Sequence, residues 1–286
     1  MKPSMVRTDK GNGGLDRLTL EHASGATAEV YLFGAHLTSW HPPGQPDAFF
    51  VSRQALFDGV KPIRGGIPVI FPQFADDGPL PKHGLVRTQI WRVEQSGVCP
   101  DGKVAVTLAL EDNETTRAVW PFRFSVELCI ALDERLEVTT AVTNRDAVDF
   151  AFQYALHTYF SVGDIRRTRV FGLQGTRFLD CVGGNAEYVE DREAVGFSGE
   201  TDRVYSGTGD EVAIRDEAAC RTIGISKAGM PDVVVWNPWV EKSRRLADFG
   251  DDEYLRMVCV ENGCIAVPVR LHPGQTWKGD TIFTVR

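Results

Sequence analysis

Between Trp91 and Val162 the chain reads as one strand-like run after another: WRVEQSG, VAVTLALED, FRFSVELCIALD, RLEVTTAVTNRD and FAFQYALHTYFSV. Turn material at Asp101-Gly102 and Asp133-Glu134-Arg135 separates neighbours, which predicts an antiparallel meander. Apolar residues on both sides of VAVTLAL predict strands buried on both faces, because such strands lose clean alternation. No long amphipathic helix appears in the 286 residues, nor any fixed-period repeat or Gly/Ser-rich linker. The pattern predicts an all-β fold, a large antiparallel β-sandwich, as one domain over residues 1–286 with about 1–14 flexible. Such an architecture specifies no function.

The flanking segments fit the same class. LDRLTLEHASGATAEVYLFGAHLTSW reads as strand, turn, strand, and EVAIRD, CRTIGISKA, PDVVVWNPW, IAVPVRL and TIFTVR read as further strands. The stretch from Gly163 to about Gly209 is rich in Gly and charge and predicts loops with short strands, while FGDDEYLR fits one helical turn or two.

Lys61 to Trp91 breaks the pattern. Five prolines remove backbone donors and fix φ, and Gly65, Gly66, Gly78 and Gly84 permit turns. Long loops of this kind are either functional or disordered; Ile63, Ile67, Val69, Ile70, Phe71 and Phe74 argue for order. The loop carries Arg64, Gln73, Lys82, His83 and Arg87, and its two guanidinium groups suit bidentate recognition of phosphate or carboxylate, though a surface arginine is ordinarily just solvated or paired.

Composition closes several routes. A net charge of -8 argues against a broad basic face for nucleic acid, while still allowing a local cluster of arginines to hold a small anion. No apolar run has the length of a membrane span, and the first residues lack the apolar core of a signal peptide, so the expected compartment is the cytoplasm. Six cysteines without CxxC spacing predict buried reduced thiols, and Asn113-Glu114-Thr115 is a chance glycosylation match. The six histidines show no HxH or HExxH pattern, so neither a metal nor a cofactor is expected; GxSxG, GxGxxG and a P-loop are also absent. The expected partner is a small molecule, and the protein is expected to be monomeric.

What remains is side-chain acid/base chemistry. His157 lies in the apolar run YALHTYF, where a lone histidine is ordinarily a hydrogen-bonded core residue. Glu261 closes LRMVCVE before Asn262-Gly263, a turn by composition, so its carboxylate either emerges into water or is held in a cleft.

Taken together, KPIRGGIPVIFPQF, LPKHGLVR, LHTYFSV, TDRVY, VVVWNPW, ADFGDDEYLRMVCVE and LHPGQTWKGD resemble the successive motifs of the glucose-6-phosphate 1-epimerases, the hexose-6-phosphate mutarotases of the aldose 1-epimerase superfamily. The resemblance implies a galactose-mutarotase-like sandwich without metal or cofactor that interconverts α and β anomers of hexose 6-phosphates. It implies His157 and Glu261 as the catalytic pair, Arg64 and Arg87 as sugar-phosphate contacts, and Gln73 and Asp202 as further substrate-binding positions, which His83 of the same loop is expected to join. Efficient proton transfer at neutral pH then calls for a histidine near its free pKa and an ionised carboxylate. Two other readings stand beside this one: an epimerase of unphosphorylated aldoses, and a non-catalytic carbohydrate-binding module with Trp236 or Trp239 stacked on a pyranose.

Overall fold

The computed structural model describes residues 3–286. Its strands form a four-stranded, an eight-stranded and a nine-stranded sheet, with antiparallel pairing between neighbours. The meander predicted from Trp91 onward is one end of the nine-stranded sheet: Arg92–Val98, Val104–Glu111, Phe124–Leu132 and Leu136–Asn144 lie side by side in chain order. Its burial differs from the expectation. Residues alternate between buried and half-exposed along Leu136–Asn144 and from Val104 to Leu108, while Leu108, Ala109 and Leu110 are buried in succession, so this sheet covers the core mainly with one face. The imperfect apolar pattern reflects small and β-branched residues on the outer face.

The inner faces of the eight- and nine-stranded sheets meet in a core that also takes in the N-terminal sheet, from Leu18 to Phe283. The N-terminus is ordered earlier than expected: Met5–Lys10 pairs with Asp16–Glu21, held by Val6 on the core and by Arg17 on Asp9. Asn113 caps a short unforeseen helix, Glu114–Val119, its side chain accepting from Thr116 N–H at 3.0 Å. The polar segment near FGDDEYLR forms a single 3-10 turn, Glu253–Arg256. Of the six thiols, Cys259 and Cys264 are buried while Cys220 is exposed, which corrects the expectation of uniform burial.

Lys61 to Trp91 is ordered, as its apolar content requires. Its regular structure is one two-residue strand, Val69–Ile70, and one 3-10 turn, Val86–Thr88. Gly65 and Gly66 have φ of 116° and 58°, and a Cβ on either would lie 2.3 Å from Phe50 O or 2.1 Å from Leu37 O. Two glycines therefore let the chain slip between neighbouring backbones directly after Arg64.

Candidate active site

Period-two alternation along the eight-stranded sheet decides what faces outward from the core. On Met257–Leu271, Val258 and Val260 enter the main core, so Cys259 and Glu261 fall on the opposite face. On Asp232–Asn237, Val233 and Val235 do the same and leave Val234 and Trp236 beside them. The register sets Val234 against Glu261, Trp236 against Cys259 and Asp202 against Trp236. Asn262-Gly263, read from sequence as a turn, continues the strand instead. Asn262 is buried and hydrogen-bonds Thr281, and a Cβ on Gly263 would meet Tyr154 O at 2.2 Å.

This outer face is the floor of an open cavity of about 370 Å³. His157 follows the strand Phe150–Leu156 and is pinned by its backbone N–H on Pro68 O at 3.0 Å. Its Nδ1 lies 3.2 Å from Oε1 of Glu261, and its ring stacks on Tyr159 with centroids 4.9 Å apart and planes 9° apart. Glu261 is 1% exposed. Burial pushes the Glu261 carboxyl well above its ordinary range, with the charge of Asp202 adding to the shift. Burial also drives the His157 imidazole well below its ordinary value, and His83, Arg64 and Arg87 reinforce this. The expected ordinary histidine beside an ionised carboxylate is thus corrected. Burial disfavours the charged form of both groups, and the two guanidinium groups disfavour the imidazolium further.

The wall comes from the broken loop. Arg64 donates through Nε to Asp248 Oδ1 at 3.1 Å and through Nη1 to Tyr159 Oη at 3.1 Å. Arg87 has no carboxylate partner among the described residues; its Nη2 donates to Lys82 O at 2.6 Å. Burial pulls its guanidinium down to about 10, and the charge of Arg64 adds to this. His83, at φ 64°, accepts from Ala75 N–H through Nδ1 at 3.2 Å, which leaves the proton on Nε2. Burial, then Arg87 and Lys82, drive its pKa down to about 3, so it stays neutral.

Of the residues picked from sequence, His157, Glu261, Arg64, Arg87, His83 and Asp202 all line this cavity. Gln73 does not. Its Nε2 donates to Leu80 O at 3.1 Å and its Oε1 accepts from Leu80 N–H at 3.0 Å, so its amide braces the loop from behind. Trp236 lines the cavity, whereas Trp239 packs on Tyr254 outside it. Tyr159, Lys242 and Asp248 line it too and were missed. Tyr159 and Asp248 sit inside the quoted motifs HTYF and ADFGDDEYLR, but nothing in a sequence tells a cavity-facing acid from a solvated one.

Ligand atoms of His157, Cys259 and Glu261 lie within 4.8 Å of one another. They suit a divalent cation poorly, since Cys259 is driven well above its ordinary range by burial and then by Glu261, and two arginines share the cavity.

The aldose 1-epimerase family model matches residues 16–284. A Cenchrus ciliaris protein named “Putative glucose-6-phosphate 1-epimerase” is 37% identical over 278 residues, covering 94% of this chain and 84% of its own length. An Escherichia coli K12 protein of the same name is 36% identical over 249 residues, 86% and 82% of the two chains. A crystal structure from Salmonella typhimurium, described as a “putative mutarotase”, superposes with a TM-score of 0.90 at 30% identity, covering 98% of this chain and 93% of that one. The fold is the galactose-mutarotase-like β-sandwich. Because the match runs through the loop and through both segments that carry the histidine and the glutamate, the chain belongs to the aldose 1-epimerase family.

Proposed function

We propose that this epimerase interconverts the α and β anomers of hexose 6-phosphates, with glucose 6-phosphate as the reference substrate. The observation that carries the reading is Arg87, a guanidinium group without a carboxylate partner among the described residues, on the wall of the cavity whose floor holds His157 against Glu261. A half-buried cation without a counter-charge is costly, and a substrate phosphate removes that cost. The relatives named for glucose 6-phosphate support the same substrate.

In this mechanism one proton crosses the 3.2 Å gap from Glu261 to His157 and arms the pair as carboxylate and imidazolium. Glu261 takes the C1 hydroxyl proton while His157 gives one to the ring oxygen. The C1–O5 bond breaks and the open-chain aldehyde forms. The pair is then neutral again, the state its burial favours, so the cavity stabilises it opposite the aldehyde. Rotation about C1–C2 and the reverse transfers close the ring on its other face. Each positioned proton transfer contributes about 10²–10⁴-fold. Arg87 and Arg64 bind the 6-phosphate and so fix which end of the sugar meets the pair.

Saturation-transfer NMR of anomer exchange in glucose 6-phosphate, glucose and galactose tests this reading. Fast exchange of glucose 6-phosphate over both free sugars is expected. Preference for a free sugar would move the assignment to unphosphorylated aldoses, and binding without exchange would make the chain a carbohydrate-binding module.

A further inference from the structure

The four cations on the cavity wall are not equivalent. Lys82 pairs with Asp76 at 2.8 Å, Lys242 with Glu200 at 2.8 Å and Arg64 with Asp248 at 3.1 Å, which leaves Arg87 as the one without a carboxylate among the described residues. Asp76 and Glu200 lie outside the cavity lining, while Asp202, 3.6 Å from Lys242, is part of it. Asp248 is part of it too, so an anion within reach of Arg64 also sits beside a carboxylate.

That placement is built in. Phe249, next to Asp248, is buried against Phe50 with ring centroids 5.7 Å apart. Gly250 N–H donates to Glu253 Oε2 at 2.8 Å, and the Glu253 carboxylate also accepts from Ser52 Oγ at 2.6 Å and Arg53 N–H at 2.9 Å. Ser52 N–H in turn donates to Arg64 O at 3.0 Å. The acid and the guanidinium are therefore fixed from both sides through one short hydrogen-bonded path.

Resting on the hexose-phosphate reading, we propose that Asp248 is a specificity-determining residue that offsets the charge of Arg64 and holds phosphate affinity below what two free guanidinium groups would give. The benefit lies in turnover. Substrate and product carry the same phosphate, so tightening its binding lowers KM without raising kcat and retards release. Arg87 then acts as the primary anchor, and Arg64, held by Asp248 and Tyr159, supplies direction.

The test uses the full chain with inorganic phosphate as probe, its Kd read by calorimetry. Asp248→Asn keeps an oxygen acceptor for Arg64 and removes the charge; Asp248→Ser removes the charge with less steric bulk; Asp248→Glu keeps it. Kd is expected to fall roughly tenfold in both neutral variants and to stay near wild type in Asp248→Glu. The KM for glucose 6-phosphate should fall in the same order while kcat does not rise. An unchanged Kd, or weaker binding in all three variants, means that Asp248 only supports the fold and overturns the proposal. A wild-type chain that neither binds phosphate nor turns over glucose 6-phosphate fails the substrate reading itself, an outcome visible before any variant is made.

Discussion

The floor and the wall of the cavity are built by opposite means. Glu261 and the floor residues around it project from regular strands, whose alternation and register leave one choice of face, and His157 follows such a strand directly. Arg64, His83 and Arg87 stand on a loop held by scattered backbone bonds, such as Gly66 N–H to Phe50 O at 2.7 Å and Leu85 N–H to Phe71 O at 2.8 Å, with His83 in a left-handed conformation. The difference follows the chemistry. Proton transfer needs two groups held at short range in a fixed orientation, which regular strands in register provide. An anion must enter from water and meet several donors from different directions, which a folded loop provides.

The comparison breaks first at the floor. His157→Ala or Glu261→Gln should cut kcat for glucose 6-phosphate by about 10²–10⁴-fold while inorganic phosphate binds as before. Near-normal exchange in both variants would remove the pair from the mechanism. At the wall, Arg87→Gln should raise KM for glucose 6-phosphate by up to about a hundredfold, the worth of a charge-assisted contact, with far less change in KM for glucose. Equal effects on the two sugars would show that Arg87 supports the loop rather than the phosphate.

How much of this could be read beforehand also divides along floor and wall. The strands and the identity of the floor pair were legible, because side-chain period and motif both survive in one dimension. The pairing of His157 with Glu261 at 3.2 Å was not, since it depends on a register between segments about a hundred positions apart. Nor was their neutral state, which is a property of burial. The loop was recognisable from Pro, Gly and Arg, yet which of its polar groups turn inward was hidden. Arg87 and Gln73 are equally polar in sequence and end on opposite sides of the same backbone.

A third test reaches beneath the wall without touching turnover at neutral pH. His36 is fully buried and bonds Gly65 O through Nε2 at 2.7 Å, directly behind Arg64. Burial, with the charge of Arg87, drives its pKa down to about 4 from 6.5. Above the unfolded value both states are neutral and stability is complete. As pH falls from about 6.5 toward 4, the unfolded chain takes up a proton that the native chain refuses, so stability is lost; below about 4 this loss levels off. The effect is on the order of 3 kcal/mol. Urea unfolding at a series of pH values should show it, and His36→Gln, which keeps a donor for Gly65 O and does not titrate, should lessen the slope by this share and leave the parts that His83 and His157 contribute. An unaltered slope would assign the acid sensitivity to other groups.

The smallest expected effect on catalysis comes from Gln73, which shares the loop with Arg64 and Arg87 but braces it from outside the cavity. Gln73 is 4% exposed and its amide spans the turn to Leu80, so Gln73→Ala leaves the half-buried Leu80 N–H without its acceptor and costs about 1 kcal/mol of stability. Because the same turn leads through Lys82 to His83 and Arg87, KM for glucose 6-phosphate should rise a few-fold at most, with kcat unchanged. A fall in kcat comparable to that of Glu261→Gln would mean that the amide reaches the sugar after all, and the loop would then serve proton transfer as well as anion recognition.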